Sequence, residues 1–118
     1  MAKKQARAES KFVRISPQKM RSVADGVRKM SPQEALDALQ FMNKKGAKPL
    51  RKTIKSAIAN AAHNFDMDKD NLTFKEINIG EGTTYKRWRP VARGRAHQIL
   101  KRTSHIKVIL EENNGTES

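Results

Sequence analysis

The residues of this 118-residue chain with the most chemistry to offer lie in one run, Tyr85-Lys86-Arg87-Trp88-Arg89-Pro90-Val91-Ala92-Arg93-Gly94-Arg95-Ala96-His97. Lys and Arg neutralise phosphates. Guanidinium groups fork onto phosphate oxygens or stack on bases, and Tyr, Trp and His offer further stacking faces. Pro90 and Gly94 supply turns. A solvated loop has little use for exposed Trp and Tyr, so this run reads as an RNA-contacting arm.

Bond-making chemistry finds no comparable footing. From residue 82 to residue 110 there is not one carboxylate to orient a base, and the chain has no cysteine. His63, His97 and His105 stand apart with no metal-ligand spacing. No phosphate-cradling loop of the GxxxxGK[ST] or GxGxxG type occurs, and no GxSxG. Asp66-Met67-Asp68-Lys69-Asp70 imitates the start of a calcium loop. However, Asn71 stands where Gly is needed and Ile77 where a bidentate Glu is needed. The expectation is a chain that is not an enzyme and holds no metal or cofactor.

Charge says what the partner is. Lys and Arg number 25 against 12 Asp and Glu, a net +13. The excess is uneven: residues 1–30 are net +7, 48–65 are +4 with no acid, 66–81 are −3, 82–110 are +8 and 111–118 are −3. Surfaces normally mix signs, so two acid-free basic segments imply a polyanion. A membrane is the weaker partner, because the apolar runs are far too short for a span. Met-Ala-Lys-Lys-Gln at the start lacks the apolar stretch of a secretory signal, and a cytoplasmic location is expected.

The elements that must position the arm follow from periodicity. Residues 1–11 read as a flexible basic tail, and Lys11 to Ile15 as a short strand. Ser16-Pro17 starts a helix whose Met20, Val23, Ala24 and Val27 share one face. Ser31-Pro32-Gln33-Glu34 starts a second with a capping box, Ala35, Ala38, Leu39 and Met42 inward, ending at Lys44-Lys45-Gly46. A third begins near Pro49 and turns Leu50, Ile54, Ala57, Ile58, Ala61 and Phe65 inward. Leu72 and Phe74 alternate, then Ile77 and Ile79 alternate in the opposite phase, which predicts a bulge near Lys75-Glu76. Ile106, Val108 and Leu110 form the last strand. Each arm of the intervening insert has about nine residues, so it can reach ~30 Å at ~3.3 Å per residue. The first two helices do not suit a DNA-reading helix-turn-helix, because the second has almost no basic residues before Lys44.

Four blocks are similar to the bacterial form of the L-twenty-two family of large-subunit ribosomal proteins: SPQKMRSVAD at 16–25, SAIANAAHN at 56–64, EGTTYKRWRPVA at 81–92 and GRAHQILKRTSHIKV at 94–108. The resemblance covers nearly all of Phe12 to Leu110. It implies an α+β fold, three helices packed on a small antiparallel three-stranded sheet with a long projecting β-hairpin. The division it suggests is a single domain with a tail at 1–11, a core at 12–81 and 99–110, a hairpin at 82–98 and an acidic tail at 111–118. It also implies binding of large-subunit ribosomal RNA, a role in early subunit assembly, and a hairpin lining the nascent-peptide tunnel.

By match, the RNA-binding residues are Ser16, Gln18, Lys19, Arg21, Lys52, Lys86, Arg87, Arg89, Arg93, Arg95, Lys101, Arg102, Thr103, Ser104 and His105. Tyr85, Lys86, Arg87, Trp88, Arg89 and Pro90 form the tunnel-side tip. Implied partners are the RNA, neighbouring ribosomal proteins, and the nascent peptide and macrolides near the tip. Trp88 departs from the family pattern, which has an aliphatic residue there, and Ser22 replaces a bulky apolar residue in the first helix. The alternative is a free-standing nucleic-acid binder or RNA chaperone.

Overall fold

The computed structural model describes residues 4–90 and 96–112; for residues 69, 85, 87–90 and 96–99 it describes the backbone alone. The order is β1 (Gln5–Val13), α1 (Pro17–Asp25), α2 (Pro32–Phe41), α3 (Ala47–Asn64), β2 (Leu72–Glu81), β3 (Tyr85–Pro90), β4 (Ala96–Lys101) and β5 (Ser104–Glu112). A three-stranded antiparallel sheet runs β1-β5-β2, and β3 and β4 pair as a separate two-stranded ladder. This is the expected α+β fold with three helices.

Each helix starts where its local chemistry dictates. The Ser16 hydroxyl accepts from the Lys19 N–H, with Pro17 at the first helical position. Ser31 accepts from the Glu34 N–H at 3.3 Å and donates its own hydroxyl to Glu34 Oε1 at 3.2 Å. That reciprocal pair is a variant of the capping box. α3 has no side-chain cap and starts at Ala47, with Pro49 tolerated in its first turn. Gly46, just before it, allows close approach: an added Cβ would lie 2.9 Å from Met20 Sδ and 3.1 Å from Val23 Cγ2 on α1.

α3 lies over the sheet and fills most of the core. Leu50, Ile54, Ala57, Ile58 and Ala61 meet Ile77, Ile79, Ile106, Val108 and Leu110 in one buried cluster. Ala6 and Ala8 of β1 belong to the same cluster. Their small size lets the helix sit close, and Asn60 Nδ2 donates to the Arg7 carbonyl at 2.9 Å. Ser10 and Thr53 share a hydroxyl hydrogen bond of 2.7 Å.

Several expectations are corrected. Residues 5–11 are not a flexible tail but most of a nine-residue strand paired with β5. α1 ends at Asp25 with Gly26 as its cap, so Val27 is buried from a turn. Phe65, expected inward, is 45% exposed beyond the end of α3. Glu111 and Glu112 belong to β5 rather than to a tail: Glu111 stands 3.6 Å from Lys75, and Glu112 accepts from the Asp68 N–H at 2.8 Å. Residues 113–118 lie outside the described residues.

The bulge is where the alternation changes phase, with the β2–β5 register shifting between Phe74 and Glu76. The calcium-like segment is a 3-10 turn, Lys69–Asn71. Asp68 Oδ1 accepts from the Asp70 N–H and Oδ2 from Asn71 Nδ2, which occupies that carboxylate within the chain.

Candidate nucleic-acid interface

The hairpin leaves the sheet at a narrow neck, residues 82–84 on one side and 102–103 on the other. The Gly82 N–H donates to the Thr103 carbonyl at 3.0 Å, and the Thr103 hydroxyl donates to the Thr83 carbonyl at 2.7 Å. Beyond the neck, β3 and β4 pair from Tyr85↔Lys101 to Pro90↔Ala96. The Cα radius of gyration is 17.7 Å, against about 13 Å for a compact chain of this length. A long axis of 69 Å against 27 and 23 Å fits an arm standing off the core.

This register changes the hairpin's boundaries. Its paired region runs to Lys101, so residues 99–101 belong to the arm and not to the core strand. The segment 85–90, expected to be the tip, is the outgoing strand. Pro90↔Ala96 is the outermost described pair, and Trp88 faces Gln98 two pairs short of it. Arg93 and Arg95 lie outside the described residues, as do the side chains of Tyr85, Arg87, Trp88, Arg89 and His97. Lys86 is exposed.

At the foot of the arm, three grooves merge into a basic belt. The first, about 630 Å³, lies between α1, the start of α3 and the end of β4. Its lining carries Arg14, Lys19, Lys44, Lys45, Lys101 and Arg102, with no acid among the described lining residues. The second, about 480 Å³, shares Ser16 and Arg102 with it and adds Gln18, Arg21 and one acid, Glu81. The third shares Lys45 and adds Lys11, Lys48 and Lys52. Six exposed cations around one hollow favour an anionic partner there.

The structure brings Ser16, Gln18, Lys19, Arg21, Lys101 and Arg102 together around the neck, with Lys52 further along the belt. It buries the side chains of two other expected RNA contacts, Thr103 and Ser104, and engages a third, half-buried His105, within the chain. Thr103 is 1% exposed and its hydroxyl is committed to Thr83; Ser104 is 0% exposed and its hydroxyl donates to the Ile15 carbonyl at 2.5 Å. His105 Nδ1 accepts from the Phe12 N–H at 3.1 Å, and the rings of Phe12 and His105 meet edge to face at 4.9 Å. Phe12 has φ 59, so this contact anchors a kink where β1 slips register. These three residues build the neck and its neighbourhood.

Arg21 has a double position. It lines the second groove, yet its Nη2 donates to the Ile79 carbonyl at 3.2 Å, while Arg28 Nη1 donates to the Ile77 carbonyl at 2.6 Å. Both close the free edge of β2. Sequence reasoning passed over Lys11, Arg14, Lys44, Lys45 and Lys48 as belt members. For Lys44 and Lys45 the signal was the gap between α2 and α3, where they read as a helix end rather than as part of a surface shared with Arg102.

Among the described residues, no three His, Asp or Glu side chains are grouped to hold a metal, and no helix is long and apolar enough to cross a membrane. The family model described as Ribosomal protein L22p/L17e matches residues 8–111. Large ribosomal subunit protein uL22 of Desulfotalea psychrophila is 55% identical over 109 residues, covering 92% of this chain and 99% of its own length. The protein of the same name from Desulfitobacterium hafniense (strain DSM 10664 / DCB-2) is 52% identical over 108 residues, 92% of this chain and 95% of that one. That from Fusobacterium nucleatum is 50% identical over 108 residues, 92% and 97%. With nearly the whole chain matched, neck and arm included, it belongs to the ribosomal protein L22p/L17e family.

Proposed function

We propose that this chain is a structural, non-enzymatic constituent of the bacterial large ribosomal subunit that binds large-subunit ribosomal RNA through the basic belt and the hairpin. The observation that carries this reading is the cationic hollow at the hairpin's foot, six Lys and Arg with no acid among its described lining residues, in a member of a ribosomal family. The belt contacts RNA through Ser16, Gln18, Lys19, Lys52, Lys101 and Arg102, and the arm extends the contact through Lys86, Arg87, Arg89, Arg93 and Arg95. The phosphates hold an arm whose described residues take no part in the buried core. Contacts made by both belt and arm would join separate RNA segments, which suits a role in early subunit assembly.

The arm's far end is proposed to line the path of the nascent peptide, where wall shape would affect macrolides and stalling sequences. Its length and its acid-free sequence support that reading, together with the family's pattern. Neighbouring ribosomal proteins are the further partners. The test is cofractionation: a tagged chain should remain with large subunits after a high-salt wash. A site-specific crosslinker at position 92 should then capture a stalled nascent chain. Loss of the protein in the salt wash would sink the ribosomal reading; retention without nascent-chain capture would sink the tunnel role alone.

A further inference from the structure

The hollow between α1, the start of α3 and the end of β4 is lined by apolar as well as cationic residues. Its apolar lining comes from buried Val23, half-buried Ile15 and, on the hairpin, Leu100, 48% exposed. A surface meant only for phosphate has no use for this. A duplex presents charge outward and keeps its bases stacked inside, so it would satisfy the cations and leave the apolar lining wet. A nucleotide turned out of a single strand or loop brings one flat apolar face and two flanking phosphates. That combination matches the apolar and the cationic lining together. The volume, about 630 Å³, falls in the range of sites that take compact organic ligands.

We propose that this hollow receives one unstacked nucleotide of single-stranded or loop RNA, its base against Leu100 and Ile15 and its flanking phosphates on the lining cations. This deepens the RNA-binding reading above and rests on it. The guanidinium planes of Arg14 and Arg102 are available to cover the base's second face. Because Leu100 belongs to the hairpin and Ile15 and Val23 to the core, the inserted base also bridges the two. It would hold the arm's angle, as the neck does from the other side.

The experiment measures binding of the full chain to three labelled probes at fixed low salt: a 12-nucleotide RNA strand of mixed sequence, the same strand with abasic central positions, and its duplex. The intact strand is expected to bind ~5- to 100-fold more tightly than the abasic one. In Leu100→Ser, which removes no charge, this ratio should fall to about one with the salt slope unchanged. Ser22→Phe, which fills the hollow from the exposed face of α1, should do the same and stands in if Leu100→Ser fails to fold. Lys101→Ser should reduce the slope and keep the ratio. Equal, salt-dependent binding of intact and abasic strands would overturn the nucleotide site and leave the RNA reading standing. A ratio that survives both Leu100→Ser and Ser22→Phe would place the stacking elsewhere and overturn it too, as would tighter binding of the duplex. Failure of all three probes to bind would remove the RNA reading itself.

Discussion

Gly82 and Thr103 meet twice at the neck of the hairpin: the Gly82 N–H donates to the Thr103 carbonyl, and a Cβ on Gly82 would clash with the Thr103 hydroxyl oxygen. No side chain fits there without displacing that hydroxyl from the Thr83 carbonyl. His105 closes the same space, 3.1 Å from the position of that Cβ. The arm's exit from the sheet is therefore set by one glycine and one buried threonine.

Gly82→Ala should cost about 1–3 kcal/mol, the usual penalty for overpacking. Thr103→Val keeps the shape and loses the hydroxyl, and should cost about 1–2 kcal/mol for the lost bond and the carbonyl left without it. Urea titrations check both. Backbone relaxation of residues 85–90 should rise in both variants relative to β5. Unchanged stability in both would mean that the neck is not held by this contact.

Core and arm should separate cleanly. Leu39→Ala and Ile58→Ala remove side chains from the buried cluster and should each cost about 2–5 kcal/mol. Replacing residues 86–100 by a tight turn should leave the melting temperature of the core within a few degrees, because β3 and β4 pair with each other and not with the main sheet. Melts in which the arm deletion is the more damaging would refute this division.

The edge of β2 offers a third test. Arg28 reaches both the Ile77 carbonyl at 2.6 Å and Asp25 at 2.8 Å. The ion pair with Asp25 is largely exposed, so Asp25→Ala should cost less than about 1 kcal/mol. Arg28→Ala also uncovers a carbonyl on an edge strand and should cost about 1–3 kcal/mol. It should raise concentration-dependent association as well, since an uncovered edge can pair with another chain. Equal effects from the two variants would mean the carbonyl contact contributes nothing.

How much of this was legible in the sequence depended on how strongly each residue commits to one environment. Large side chains at helical or alternating spacing located all three helices, the bulge after Phe74 and the inward face of β5. Most of β1, residues 5–10, escaped because its inward positions are Ala6 and Ala8. Alanine carries little burial signal, and among Arg and Lys it resembles a tail, yet only so small a residue lets α3 approach. Thr103, Ser104 and His105 look like RNA ligands by type and by neighbourhood. The burial of Thr103 and Ser104 and the engagement of His105 depend on which strand faces Thr83, Ile15 and Phe12, residues 20 to 93 positions away. The belt was half visible: Lys19 and Arg102 lie in basic stretches, whereas Lys44 and Lys45 join them only because Gly46 brings α3 against α1.

That joining of distant cations gives the last prediction, which concerns how binding responds to salt. Each phosphate neutralised releases condensed counterions, so the log–log slope of affinity against salt counts contacts at ~0.7 to 0.9 per phosphate. Arg14, Lys45, Lys48 and Arg102 are all exposed and line the first and third grooves. Replacing the four by Ser should leave the fold intact, since none contributes to the buried cluster. If each meets one phosphate, the slope should fall by ~3 to 4 units at those values. Replacing Arg87, Arg89, Arg93 and Arg95 on the arm should lower it by a similar amount, and the eightfold variant should lose nearly the sum if belt and arm hold separate phosphates. Affinity for a large-subunit RNA fragment, followed by filter retention from low to moderate salt, gives all three slopes. A drop confined to the arm variant would show that the belt faces solvent. A sum well below additive would instead show that belt and arm compete for one stretch of RNA.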